Sequence, residues 1–179
     1  QRMDLDVKKP RKDVLFFWKG YSYGKGDEIA NKLLTLRPNT TMTVWCRNRS
    51  QIEAVQLIIP DGVIVNNLSE YALCQLYLDH SLLLFPSTYE GFGMPPIEAL
   101  SCGCIPVLDP NVGAADLYAE DGINSLHIDA SADIVANKMA SALDNNDHLI
   151  AMRTSAPLAI RDFNPNGYGT RILKAAGFI

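Results

Sequence analysis

Four consecutive positions, Leu82-Leu83-Leu84-Phe85, are apolar without interruption. A strand written this way must be covered on both faces, because a sheet wet on one side alternates apolar and polar residues. Apolar runs of similar length recur at Val14–Trp18, Thr41–Cys46, Val63–Val65, Ile105–Leu108 and Ser125–Ile128. Between them lie stretches with helical periodicity: Glu28–Leu36, Gln51–Leu57, Glu70–Leu78, Pro95–Cys102 and Ala114–Ala119, with Ala132–Leu143 after the last run and further helix from Asn145 to Asp162. Strand and helix in alternation, with strands buried on both sides, predict an α/β fold: a single Rossmann-like domain around a doubly wound parallel sheet of about six strands. The expected organisation is a linker over 1–12, the domain over 13–162, and a tail or helix over 163–179.

In such a sheet ligands sit beyond the carboxyl ends of the strands, beside the reversal in strand order, so the residues following each strand are the candidates for chemistry. The segment after Phe85 runs Pro-Ser-Thr-Tyr-Glu-Gly-Phe-Gly-Met-Pro-Pro-Ile-Glu-Ala-Leu. Glu90 therefore falls in a ligand-facing loop. Gly91 and Gly93 let the backbone turn and approach a ligand without a Cβ in the way. Pro95 and Pro96 suit a first helical turn, which places a helix start near Met94 and, with it, amides and a positive dipole end fit for a phosphate. Since proline donates nothing, Gly93 and Met94 must supply the donors. Glu98 is expected in the first turn, where the dipole alone favours a carboxylate, and Gly103 is expected to close the helix.

Other signals are weaker. Gly20-Tyr21-Ser22-Tyr23-Gly24-Lys25-Gly26 is one residue short of a P-loop and ends on glycine where a hydroxyl would hold magnesium. Asp4-Leu5-Asp6 imitates a metal motif but precedes the first strand, and Lys8-Lys9-Pro10-Arg11-Lys12 reads as a solvated terminus or linker. The formal net charge of −4 offers no field to gather a polyanion, so nucleic acid is not an expected partner. Cys46, Cys74, Cys102 and Cys104 lack the paired spacing of a zinc or redox motif and read as reduced and partly buried. His80, His127 and His148 are scattered, without a triad arrangement, and His127 reads as a structural strand residue. No segment approaches the ~20 apolar residues of a membrane span, and the cytoplasm is the default compartment.

The stretch Ser87 to Val107, Ser-Thr-Tyr-Glu-Gly-Phe-Gly-Met-Pro-Pro-Ile-Glu-Ala-Leu-Ser-Cys-Gly-Cys-Ile-Pro-Val, resembles the signature of the large retaining GT-B glycosyltransferase family that includes sucrose synthases and mannosyltransferases. A weaker likeness extends over roughly Val14 to Ile160, including Gly122-Ile123-Asn124-Ser125-Leu126. The resemblance implies roles: Glu90 accepts hydrogen bonds from donor-sugar hydroxyls, Glu98 binds the nucleotide ribose, amides from Gly91 through Phe92 and Gly93 to Met94 hold sugar and diphosphate, and the backbone near Asn67 contacts the base. It further implies that Lys25, matching a family lysine after the first strand, serves the diphosphate. The family's arginine five residues earlier is replaced by Gly20, with Lys19 adjacent as a substitute that lacks the arginine's bidentate fork.

The expected function is thus the donor-binding half of a retaining glycosyltransferase using a nucleoside diphosphate sugar, with no metal and no cofactor. The start at Gln1 reads as a piece excised from a longer protein or one trimmed at its start, and the resemblance implies an acceptor domain preceding this one, through which the protein is expected at the membrane face. Two alternatives stand beside it. One is a non-catalytic nucleotide-sugar-binding or regulatory module; the other is a dinucleotide-dependent oxidoreductase domain, which lacks the Gly-x-Gly-x-x-Gly fingerprint after its first strand.

Overall fold

The computed structural model describes residues 6–20 and 25–161. Residues 1–5, with Asp4 and Leu5, residues 21–24, and residues 162–179, with the expected tail over 163–179, lie outside the described residues. Six parallel strands, β1 (Lys12–Trp18), β2 (Met42–Cys46), β3 (Val63–Val65), β4 (His80–Phe85), β5 (Ile105–Leu108) and β6 (Leu126–His127), form one sheet in the order β3-β2-β1-β4-β5-β6. The helices are α1 (Gly26–Leu36), α2 (Ile52–Ile58), α3 (Glu70–Asp79), α4 (Met94–Ser101), α5 (Ala132–Asp144) and α6 (Asn146–Ala159). The fold is thus the expected single α/β domain, Rossmann-like, around a parallel sheet of six strands.

Burial on both faces is met literally. All six residues of β4 are buried, with Leu82 and Leu84 packed in one cluster and Leu83 and Phe85 in another. On β1 the same alternation sends Val14, Phe16 and Trp18 to the first cluster and Leu15 and Phe17 to the second. The first cluster is closed by Ile29 and Leu33 of α1, Val55 of α2 and Val135 and Met139 of α5; the second takes Tyr77 of α3 and Ala99 of α4. Helix α6 packs against α4, α5 and β5, while α5 packs against the edge strand β6.

Local chemistry sets the helix ends. Ser69 caps α3 by accepting from the Ala72 amide at 3.2 Å, and Asn145 caps α6 by accepting from the His148 amide at 3.0 Å. That cap divides what the sequence reads as nearly continuous helix into α5 and α6. Helix α4 ends in a Schellman turn: Gly103 sits at φ +65 while the Cys104 amide reaches Ala99 O and the Gly103 amide reaches Leu100 O. At the end of the sheet remote from the strand carboxyl termini, the two N–H groups of Arg11 Nη1 are shared among the carbonyls of Tyr77, His80, Cys102 and Gly103, which places a cation at the carboxyl ends of α3 and α4. The expected helix Ala114–Ala119 shrinks to a single 3-10 turn, Ala115–Leu117. Asn124 ends it, taking the Glu120 amide on Oδ1 and donating to Tyr118 O, which diverts the backbone from further helical bonding.

Candidate functional site

The strand order reverses between β1 and β4, which pair directly with Phe16 opposite Leu84. The residues just past these two strands are therefore neighbours, although far apart in sequence. After β1 comes Lys19, then Gly20 at φ +111, a backbone conformation that disfavours any side chain, including the arginine of the resembled family. After β4 comes the loop Pro86 to Gly93. Gly26, at the start of α1, completes the junction, because a Cβ there would lie 2.5 Å from Pro86 Cγ and 3.0 Å from the Phe16 ring.

At this junction Lys19 Nζ forms an ion pair with Glu90 Oε1. Ser87 Oγ donates to the same oxygen at 2.7 Å and accepts from Lys19 Nζ at 3.3 Å. The ammonium also stands 4.6 Å above the centre of the Phe85 ring, a cation–π contact that restrains the long side chain. Lys19 and Glu90 form part of the wall of a cleft of about 460 Å³, with Phe17, Trp45, Arg47, Tyr89 and Pro95 around them. Such a volume is in the range of small-molecule sites. Below the loop Gly113, at φ +66, approaches so closely that a Cβ would lie 2.8 Å from Phe92 O and 3.2 Å from Glu90 Cβ, and the Ala114 amide donates to Phe92 O at 3.1 Å. The turn after β5 thereby supports the Glu90 loop from behind. Tyr118 is held in its neutral form by burial and by the nearby Glu90 carboxylate.

Helix α4 begins at Met94 as expected, with Gly93 at its N-cap in the left-handed region, φ +83, and prolines at the next two positions. Glu98 is the fifth residue of that helix, not part of the first turn. Met94 occupies the opening position, so the carboxylate lies one turn farther from the dipole end, and the expected dipole stabilisation is correspondingly weak. Its partner is Tyr77, whose hydroxyl donates to Oε2 at 3.0 Å. Burial, reinforced by the Glu98 carboxylate, raises the Tyr77 pKa and keeps that donor protonated. Glu98 faces a groove of about 390 Å³ between α3 and α4, shared with Glu70 and Ser101.

The remaining candidates are dispersed. Lys25 stands at the N-cap of α1, exposed, with Nζ donating to Ala130 O at 3.2 Å. Asn67 is exposed in the turn between β3 and α3, at φ +48. Gly91 is exposed, Phe92 half-buried. Sequence reasoning singled out Glu90 but missed its ties to Lys19, Ser87 and Gly113; the positions of Lys19 and Ser87, one and two residues past β1 and β4, are the signal that, with the strand order, would have found two of them. Among the described residues no group of three or more His, Cys, Asp or Glu is placed to hold a metal ion, and no helix is long and apolar enough to cross a membrane.

Residues 47–158 match the pattern of the family described as glycosyl transferases group 1. The chain belongs to this family. Similar relatives include the serotype-specific mannosyltransferase WbdA of Escherichia coli, 39% identical over 56 residues, which are 31% of this chain and 6% of that protein. A second is the GDP-mannose:cellobiosyl-diphosphopolyprenol alpha-mannosyltransferase of Xanthomonas campestris, 35% identical over 91 residues, 49% of this chain and 23% of that one. Among solved structures, HepE of Anabaena in complex with UDP superimposes with a TM-score of 0.75 at 17% identity, covering 99% of this chain and 56% of its own. Sucrose-phosphate synthase of Thermosynechococcus elongatus gives 0.73 at 20%, covering 95% and 48%. At this level of identity the likeness to the solved structures shows the fold, and the chain spans about half the length of these structures and less of the curated relatives it matches.

Proposed function

We propose that this chain is the donor-binding half of a retaining glycosyltransferase that transfers a sugar from a nucleoside diphosphate sugar to an acceptor. The observation that carries the reading is the position of Glu90: its carboxylate lies in a sizeable cleft at the order reversal of the sheet, at the head of a helix able to receive a phosphate. Membership of the family supports it, as do the GDP-mannose in the name of one relative and the UDP bound in one similar structure.

In this reading Glu90 accepts hydrogen bonds from donor-sugar hydroxyls and Glu98, already paired with Tyr77, accepts from the ribose. The amides of Gly93 and Met94, with Gly91 and Phe92 in the same loop, hold the diphosphate, and the backbone of Asn67 contacts the base. Lys25, exposed, leaves Ala130 O to approach the diphosphate. Charge developing on the leaving diphosphate is then stabilised by the loop amides, which are already in place as preorganised donors, together with Lys25 once it has moved. The functional domain extends over about 13–162, and a preceding domain holds the acceptor.

The test is thermal stability of the chain against a panel of nucleoside diphosphates and their sugars. A ligand that binds only the folded state raises the midpoint in proportion to the logarithm of its concentration over Kd, so members of one base class are expected to raise it and their sugars to raise it further. Absence of any shift across guanine, uracil and adenine panels would overturn the reading.

A further inference from the structure

We propose that Lys19 is a positioning residue for Glu90, fixing the carboxylate so that one oxygen is held by the protein and the other is presented to the ligand. This rests on the donor reading above, in which Glu90 receives the sugar. The protein's hold on the carboxylate falls on Oε1: the Lys19 ammonium and the Ser87 hydroxyl both donate there, and among the described residues no hydrogen bond is made to Oε2. The cleft that Glu90 lines is therefore met by a carboxylate with one half of its accepting capacity already used and the other half open.

The arrangement answers a mechanical problem. Glu90 stands in a glycine-bearing loop, between the 83%-exposed Tyr89 and Gly91, and a loop of this kind does not by itself hold a side chain in one rotamer. Lys19 is anchored to a rigid element, the last position before the chain turns away at Gly20, and its stem is restrained by the Phe85 ring at 4.6 Å. Ser87, buried two residues past the end of β4, joins the two by accepting from one and donating to the other. The pair is partly desolvated, with side-chain exposures of 26% and 18%, so it is screened less than a surface pair. A cation engaged in this way is occupied by Glu90, and the geometry points to it as the support of the sugar-binding carboxylate and not as a free stand-in for the arginine missing at Gly20.

The consequence is specific. Loss of Lys19 should erode the extra affinity that a nucleotide sugar has over the bare diphosphate, and leave the diphosphate itself almost unaffected. The experiment is calorimetry on the chain with the nucleoside diphosphate that stabilises it best and with the corresponding sugar, for wild type, Lys19→Met, Lys19→Arg, Glu90→Gln and the Lys19→Met/Glu90→Gln pair, with circular dichroism verifying that each is folded. Lys19→Met is expected to lower the sugar-specific gain by about 10-fold, the scale of one hydrogen bond to a charged group. Lys19→Arg should restore most of it. The double variant should lose no more than Glu90→Gln alone, because two residues acting through one contact are not additive. Equal losses for diphosphate and sugar would overturn the proposal by making Lys19 a diphosphate ligand. Additive losses, or an unchanged gain in Lys19→Met, would overturn it as well. If wild type binds nucleoside diphosphates but gains nothing from the sugar, the role of Glu90 fails and this inference with it; if it binds no nucleotide at all, the donor reading itself is at fault.

Discussion

At Glu98 the carboxylate already has one protein donor, the Tyr77 hydroxyl at 3.0 Å, and a glutamine there can still accept that bond through its amide oxygen. Glu98→Gln therefore removes charge without emptying the pair, and the fold should survive. If Glu98 binds ribose, nucleoside diphosphate affinity should fall about 10- to 150-fold, the value of roughly 1.5–3 kcal/mol for hydrogen bonds to a charged acceptor. Calorimetry that finds the same affinity in a folded variant removes the ribose assignment. A second residue gives a prediction about pH. His80 is fully buried, with Nδ1 facing Leu76 O at 2.7 Å and Nε2 facing Thr43 Oγ1 at 2.8 Å. A carbonyl can only accept, so Nδ1 carries the proton and Nε2 is left to accept from Thr43. Burial, the largest cause, lowers the pKa of His80 below its ordinary 6.5, with the Lys12 charge acting in the same direction and Leu76 O, Asp79 and Asp13 opposing. Because the folded state then binds the proton less readily than the unfolded chain, the stability owed to neutral His80 is present above about pH 6.5 and is lost as pH falls below it. Urea midpoints should decline more steeply from pH 7 to 5.5 in the wild type than in His80→Gln; equal slopes would remove His80 as the source.

Elements fit together here through close approaches as much as through apolar area, and α1 shows the cost of spoiling one. Alanine ordinarily stabilises a helix by up to about 1 kcal/mol over glycine. At Gly26 the sign should reverse, because the added Cβ would meet the rigid ring of Pro86 at 2.5 Å and Phe16 at 3.0 Å. Gly26→Ala is expected to destabilise by about 1–3 kcal/mol, the usual cost of overpacking, seen as a lower urea midpoint at unchanged m. This contact is also an example of what the sequence conceals. The strands were legible because runs such as Leu82–Phe85 have no polar position to confuse the period, and the helix after the Glu90 loop was legible because two prolines and a closing glycine frame it. Glu90 itself was legible for the same reason, as a charge stranded between a buried strand and a helix start. Its union with Lys19 was not, since the two are 71 residues apart in sequence and become neighbours only because β4 returns to the other side of β1. The support from Gly113 was hidden likewise, and the division at Asn145 turned on one side chain choosing a backbone amide over solvent.

On the scale of the whole molecule, the candidate site lies where the strand order reverses, past the ends of β1 and β4. Every residue argued to bind the donor lies at or near the carboxyl ends of the strands, and the chain spans 56% of HepE and 48% of sucrose-phosphate synthase. If the segment these relatives have in addition holds the acceptor, this chain by itself should bind its donor weakly and transfer no sugar. The reason is quantitative. Holding acceptor and donor in a reactive geometry can supply about 7–11 kcal/mol of barrier reduction, and a half-site supplies none of it for the acceptor. Nothing then excludes water from above the cleft, so the fields of Lys25 and of the helix start are screened when charge develops on the diphosphate. Slow hydrolysis of the donor is the reaction such a half-site retains, because water needs no second domain to reach the anomeric carbon. The measurement is incubation of the purified chain with its best-binding nucleotide sugar and a panel of lipid, saccharide and peptide acceptors, followed by mass spectrometry of the products. Free sugar without glycosylated acceptor is the expected result, and robust transfer would require an acceptor site within these 179 residues.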